Sequence, residues 1–255
     1  MGSWFTRLFS GPSQRTAGRP TSSNGASSLH LAWDAPTSDR LIGVSVTLEV
    51  LSRPDIDELV FMAMQVSFTD PGGGGAHLGL QHHPRYPLRS AVNWGGYAEW
   101  GGLLSGSDSA LPSTPADVNT RNFEWQAGTP YVLEISRQGQ RPEGGWAWSG
   151  SVTNPSGART IVRELYSPGS SIRDPVVWIE CFAPCDAPSF IVRWSEPTVT
   201  TADAVVLPVP SMRVSYQGVA HGGCTNTTSS VDGSSFVQRT NATRSTPQGK
   251  RLTIA

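Results

Sequence analysis

"LIGVSVTLEVL", residues 41–51, decides the fold. Ile42, Val44, Val46, Leu48 and Val50 alternate with Gly43, Ser45, Thr47 and Glu49. A period of two puts apolar side chains on one face of a strand and polar ones on the other. The next apolar block, "ELVFMAMQVSF", reads as a more fully buried strand, closed by "TDPGGGG", a turn that no helix tolerates. Working outward, "AHLGLQHH" and "RSAVNWGGY" read as strands, "PYVLEISR" and "GWAWSGSVTN" pair across "QGQRPEGG", and "NPSG" turns the chain into "ARTIVRELY". "PVVWIECFA", "SFIVRWSEPTV", "SMRVSYQGV" and "SSFVQRT" complete about ten strands. No amphipathic helix of three turns and no solenoid-length repeat breaks the series. The expected architecture is all-β: a two-sheet antiparallel β-sandwich of jelly-roll type.

Twenty-seven glycines and twenty prolines in 255 residues supply turn punctuation at the density such a fold needs. Residues 1–28 contain a polar Gly/Ser/Pro run without periodicity and read as a flexible arm, leaving 29–255 as a single domain. Net charge is −1 with only 15% charged residues, so no global field draws in nucleic acid or an anionic membrane, and neither is expected as a partner. Lys250 is the only lysine against many arginines, a bias that fits genomic base composition. The apolar block from Trp4 to Phe9 is broken by Thr6 and Arg7. It is too short for a signal core or a membrane span. A soluble, cytoplasmic protein is therefore expected, with export by another route left open.

Residues 77–102, "HLGLQHHPRYPLRSAVNWGGYAEWGG", concentrate histidine, arginine and aromatic side chains among Gly and Pro. Proline-stiffened loops hold polar tips at low entropic cost, and Gly pairs let a ligand approach the backbone. Sugars stack their apolar faces on Trp or Tyr while Asn, Glu, Arg and His take the hydroxyls. The candidate ligand-binding edge is thus Gln81, His82, His83, Arg85, Asn93, Trp94, Tyr97, Glu99 and Trp100. The alternative is that Trp94 and Tyr97 pack the sandwich. His82 and His83, adjacent in a strand, point to opposite faces and cannot share one metal ion without a bend.

For the three cysteines, a Cys185–Cys224 disulfide, free thiols and zinc ligation with His221 are all open, the disulfide being preferred because both of its residues flank loops. A glycan hydrolase needs two carboxylates across a groove. Glu99 and Glu180 are the candidates, and Glu180 shares a face with Trp178 and Phe182 or pairs with Arg193 on the next strand. No G-x-S-x-G elbow, H-E-x-x-H pair or Walker loop is present, and no cofactor is expected.

Three short elements resemble a bacterial family of unknown function. Gly79, Leu80 and Gln81 match its Gly-x-Gly-aliphatic-Gln strand; Trp125, Ala127, Gly128 and Tyr131 match a W-x-A-G-x-x-Y element; Trp178, Glu180 and Phe182 match a late Trp/Glu strand. The resemblance implies a concanavalin A-like sandwich and carries no reaction. The expected function is non-catalytic binding of a carbohydrate or other polar ligand. A structural or protein-interaction sandwich and a glycan hydrolase are the alternatives.

Overall fold

The computed structural model describes residues 14–36, 40–69 and 72–255. Its elements are strands and two short 3-10 turns, Pro87–Arg89 and Val219–His221. The first half of the chain forms β1 (Ser27–Trp33), β2 (Leu41–Ser52), β3 (Val60–Phe68), β4 (Gly75–His82), β5 (Ser90–Tyr97), β6 (Thr120–Asn122) and β7 (Pro130–Gln140). Then follow β8 (Trp146–Thr153), β9 (Arg159–Ser167), β10 (Ile172–Cys181), β11 (Ile191–Thr201) and β12 (Val206–Pro208). The last are β13 (Ser211–Tyr216), β14 (Thr228–Asp232), β15 (Ser235–Arg239) and β16 (Arg251–Thr253).

Strand pairing is antiparallel throughout and resolves into two layers. The front sheet runs β16-β13-β1-β10-β3-β4-β5-β6. The back sheet runs β14-β15-β11-β2-β7-β8-β9, with β12 on the end of β11. A single pair, Ile172 with Leu41, stitches β10 to β2 where the layers meet. The all-β, two-sheet antiparallel sandwich expected from the alternation is the fold observed.

Alternation explains the core. Leu29 and Leu31, Met62 and Met64, Leu78 and Leu80, Val92 and Trp94, and Val177 and Ile179 point backward from the front sheet. Val44, Val46, Leu48, Leu133, Ile135, Trp148, Val192 and Trp194 meet them from the back sheet. Each such side chain contributes on the order of 1.5–3 kcal/mol when fully removed from water. The pairing of β2 with β11 shifts near both ends of β2, at Leu51 and again at its start. Gly43 pairs with Thr200 and Leu41 with Thr201, so Ile42 is an extra, half-buried residue, and Leu41 takes its inward place.

One polar relay inside the sandwich joins the layers. The Trp194 indole donates to Gln238 (2.9 Å), whose amide donates to the Leu29 carbonyl (3.0 Å), linking β11, β15 and β1. Trp94 lies flat on Gly150 of β8, where an added Cβ would come within 2.6 Å of the indole. Gly150→Ala is therefore expected to lose about 1–3 kcal/mol by overpacking, read by urea denaturation. Unchanged stability would mean that the ring has room to retreat.

The N-terminal arm requires a correction. Residues 1–13 lie outside the described residues, but Arg15, Thr16, Gly18 and Thr21 are hydrogen-bonded to Thr225, Asn226, Cys185 and Gly222, and β1 begins at Ser27. Residues 14–28 are thus part of the folded unit. Most of these bonds use backbone groups, with Ser27 Oγ accepting from the Cys224 N–H, and a period search registers neither.

Candidate functional site

The outer face of the front sheet holds a second cluster, separate from the core: Phe61, Ala63 and Trp178, with Val176 against them. Strand register sets it out in rows. One row runs Ser28, Glu180, Phe61, Gln81, Ala91, Asn122; the next runs His30, Trp178, Ala63, Gly79, Asn93, Thr120. A third brings Gln65 beside His77. With the small residues Ala63 and Gly79 at the centre, the surrounding rings close together. Phe61 meets Trp178 edge-on at 4.9 Å and His77 at 5.4 Å, and His77 meets Trp178 at 5.9 Å. The ring series extends to His30 beyond Trp178 (6.5 Å) and to Tyr97 beyond His77 (5.7 Å). Five rings from five adjacent strands thus form one connected line, with Phe61, Trp178 and His77 in mutual contact at its middle and His30 and Tyr97 at its ends. The Trp178 indole donates to Gln65 Oε1 at 3.2 Å, which fixes its orientation.

At the β1 end of this line lies a depression of about 670 Å³, lined by Asn24, Ser28, His30, Glu180, Gln217 and His221 among others. Glu180 Oε1 accepts from Asn24 Nδ2 (3.1 Å) and the Ser28 hydroxyl (3.3 Å). Burial pushes its carboxyl above the usual carboxylate range, and those two hydrogen bonds pull part of the way back. Burial lowers His30 as well, against a backbone contact with Ser215. It lowers His77 to about 4, with Asn93 acting in the opposite direction. Near neutral pH both imidazoles are uncharged. The face offers hydrogen-bond donors and acceptors.

The His77 shift has a consequence for stability. Below pH 6.5 the unfolded chain takes up a proton at this residue that the folded chain refuses until about pH 4. Stability is therefore expected to fall as pH drops through that window, and His77→Gln should flatten the fall. Urea midpoints at several pH values between 7 and 4 check it; an identical slope in the variant would place the acid sensitivity elsewhere.

The nine residues of the expected ligand edge separate. Gln81, Asn93 and Tyr97 sit on the outer face just described, with Gln81 and Asn93 buried at 5% and 8% exposure and Tyr97 half exposed. Trp94, one residue past Asn93, points the other way and is wholly interior. It is removed from the edge because adjacent strand residues face opposite sides. His82 also lies beneath the surface. Arg53 Nε donates to its Nδ1 (3.0 Å), so the proton is on Nε2, which donates to the Ile56 carbonyl (2.9 Å). Arg53 then caps the Leu88 and Arg89 carbonyls and stacks on Trp125 at 4.3 Å, making His82 part of a clamp on the β4–β5 turn. His83 is buried edge-on against Tyr86 (4.7 Å), while Arg85 is exposed on that turn. Glu99 accepts from the Gly72 N–H at 2.5 Å, and Trp100 is 85% exposed on the turn that ends β5.

Glu180 does not pair with Arg193, which lies in the back sheet and binds Glu49 (2.9 Å) and Asp232 (3.2 Å). Cys185 and Cys224 are joined, with an S–S distance of 1.98 Å, and Cys181 is a buried free thiol. The zinc alternative thereby loses two of its ligands. Among the described residues no group of three or more His, Cys, Asp or Glu is placed to hold a metal ion, and no helix is long and apolar enough to cross a membrane.

No protein-family model matches the chain, and no curated protein matches it by sequence. Among solved structures it is similar to scytalido-glutamic peptidase bound to a peptide-based transition-state analogue. The identity is 12%, covering 88% of this chain and 98% of that one, with a TM-score of 0.47. It is similar to SCP-B, a member of the eqolisin family of peptidases, in complex with the tripeptide Ala-Ile-His (13% identity, 88% and 98% covered, TM-score 0.45). It is also similar to peanut lectin with a nine-residue peptide (10% identity, 89% of each chain, TM-score 0.31). Likenesses this distant assign no residue a role.

Proposed function

We propose that this protein is a non-catalytic binding module for a neutral polar ligand of the glycan class, held along the outer face of the front sheet from Glu180 to Tyr97. The observation that carries the reading is the line of five rings, flanked by Glu180, Gln65, Gln81 and Asn93. Tyr97, half exposed, and the half-buried His30 and His77 are the rings that can accept the apolar face of a sugar, with the buried Phe61 and Trp178 backing them from beneath, and planar carboxyl and carboxamide groups orient hydroxyls. Burial disfavours the charged forms of His30, His77 and Glu180 alike, which suits an uncharged polar partner. The ring contacts from His30 through Trp178 and His77 to Tyr97 limit its reach to about 18 Å, suited to an oligomer more than to a single ring.

Hydrolysis is less favoured by the same geometry. Glycoside cleavage needs two carboxylates within roughly 5–9.5 Å. Glu99 lies beyond Tyr97, and Tyr97 stands six residues along β5 from the row of Glu180, roughly 20 Å away.

Calorimetric titration with a panel of neutral oligosaccharides tests the proposal. His30→Ala and Tyr97→Ala should each weaken binding about tenfold, as loss of one anchoring ring commonly does. Absence of binding to any neutral oligosaccharide, or binding indifferent to both substitutions, would refute it and favour a purely structural or protein-interaction role.

A further inference from the structure

The wall of the Glu180 pocket is a segment without regular structure, residues 15–26, laid across two loops. Its Gly18 carbonyl accepts from the Cys185 N–H (2.8 Å), and the Gly18 N–H donates to the Asp186 carboxylate (3.0 Å). Those partners belong to the loop between β10 and β11. The loop before β14 supplies the others. The Thr225 N–H donates to the Arg15 carbonyl (2.7 Å), Asn226 Nδ2 to the Thr16 carbonyl (3.1 Å), and the Thr21 N–H to the Gly222 carbonyl (3.0 Å). At Gly222 the two backbones approach so closely that a Cβ would collide with Ser22. The loops themselves are joined by the Cys185–Cys224 bond and by Asn226 Nδ2, which donates to the Cys185 carbonyl (2.7 Å). From this anchored segment Asn24 reaches Glu180, and Thr21 to Asn24 line the pocket.

We infer that the Cys185–Cys224 bond is a redox latch on the Glu180 pocket, its reduction freeing residues 15–26 and dismantling the wall. The inference rests on the proposed function only in taking that pocket as a binding site. The reductant is an external dithiol. Both cysteines are buried, so attack follows a local opening of the loops: one thiolate attacks a cysteine sulfur and forms a mixed disulfide, which the second thiol displaces; the dithiol leaves as a disulfide and the protein gains two thiols. Cys181 lines the same small void as the two bonded cysteines. Burial pushes its thiol up to about 11, which slows its attack on the neighbouring disulfide.

Hydrogen exchange of the full chain, oxidised and after dithiothreitol treatment, tests the latch. The amides of Gly18 and Thr21 are expected to exchange about tenfold faster or more after reduction, while β3, β4 and β10 stay protected. Cys224→Ser should reproduce this without reductant, and reduced wild-type protein answers the question if that variant does not fold. Unchanged exchange in residues 15–26, or loss of protection across the whole protein at once, would overturn the inference. A segment that loosens in a protein binding no oligosaccharide in either redox state supports the latch and removes the function proposal. Loosening with oligosaccharide affinity unchanged would overturn the coupling to the pocket.

Discussion

Trp94→Ala is expected to destabilise the protein by about 3–5 kcal/mol, whereas Trp100→Ala should change stability by no more than about 0.5 kcal/mol. The indoles are six residues apart in a segment dense with aromatic side chains, yet their surroundings are opposite. Trp94 has no exposed surface and stacks on Gly150 of the facing sheet, so truncation leaves a cavity that the backbones of β5 and β8 cannot close. Trp100 is 85% exposed on a glycine-rich turn, where truncation leaves nothing unfilled. The Trp94 indole N–H is buried without a hydrogen-bond partner, which trims the cost of removing it toward the lower end of the range. Urea unfolding of both variants measures the difference. Similar losses, or a larger one at Trp100, would contradict the assignment of Trp94 to the interior.

Removing the disulfide should cost about 4 kcal/mol, because a cross-link spanning 39 residues denies the unfolded chain that much loop entropy. The native loops add little to offset this, since their direct link is then reduced to the Asn226 hydrogen bond. Cys185→Ser with Cys224→Ser, compared with oxidised wild type by denaturant midpoint, gives the magnitude. A loss below about 1 kcal/mol would indicate that the unfolded chain already holds these loops together.

The period-two runs in β2, β4, β5, β7 and β9 were legible because each has a face that must be buried whatever its partner. β1, β12, β14 and β16 were not. "VLP" and "RLT" hold three residues each, too few to display a period, and "TSSVD" has hardly an apolar face to display. β1, "SSLHLAW", alternates cleanly but follows a Ser-rich stretch that masks its start. The disulfide pair was accessible because both cysteines flank loops. The site was half legible. Gln81 and His77 were readable as sharing a face, and Glu180 as sharing one with Trp178. That these faces are one and the same follows only from β3 lying between β4 and β10, a pairing over about a hundred residues that no local pattern encodes. Phe61 and Gln65 were overlooked because "VFMAMQVSF" is apolar on both faces and reads as core, although Phe61, Ala63 and Gln65 form its outward side.

The most direct test of ligand binding along the ring line is the indole N–H spectrum of nitrogen-15-labelled protein during titration with a neutral oligosaccharide. Displacement of the Trp178 signal, with those of Trp94, Trp148 and Trp194 unmoved, is the expected result, because the last three lie in the core behind the sheet. Saturable binding that leaves Trp178 unmoved would contradict the placement of the site.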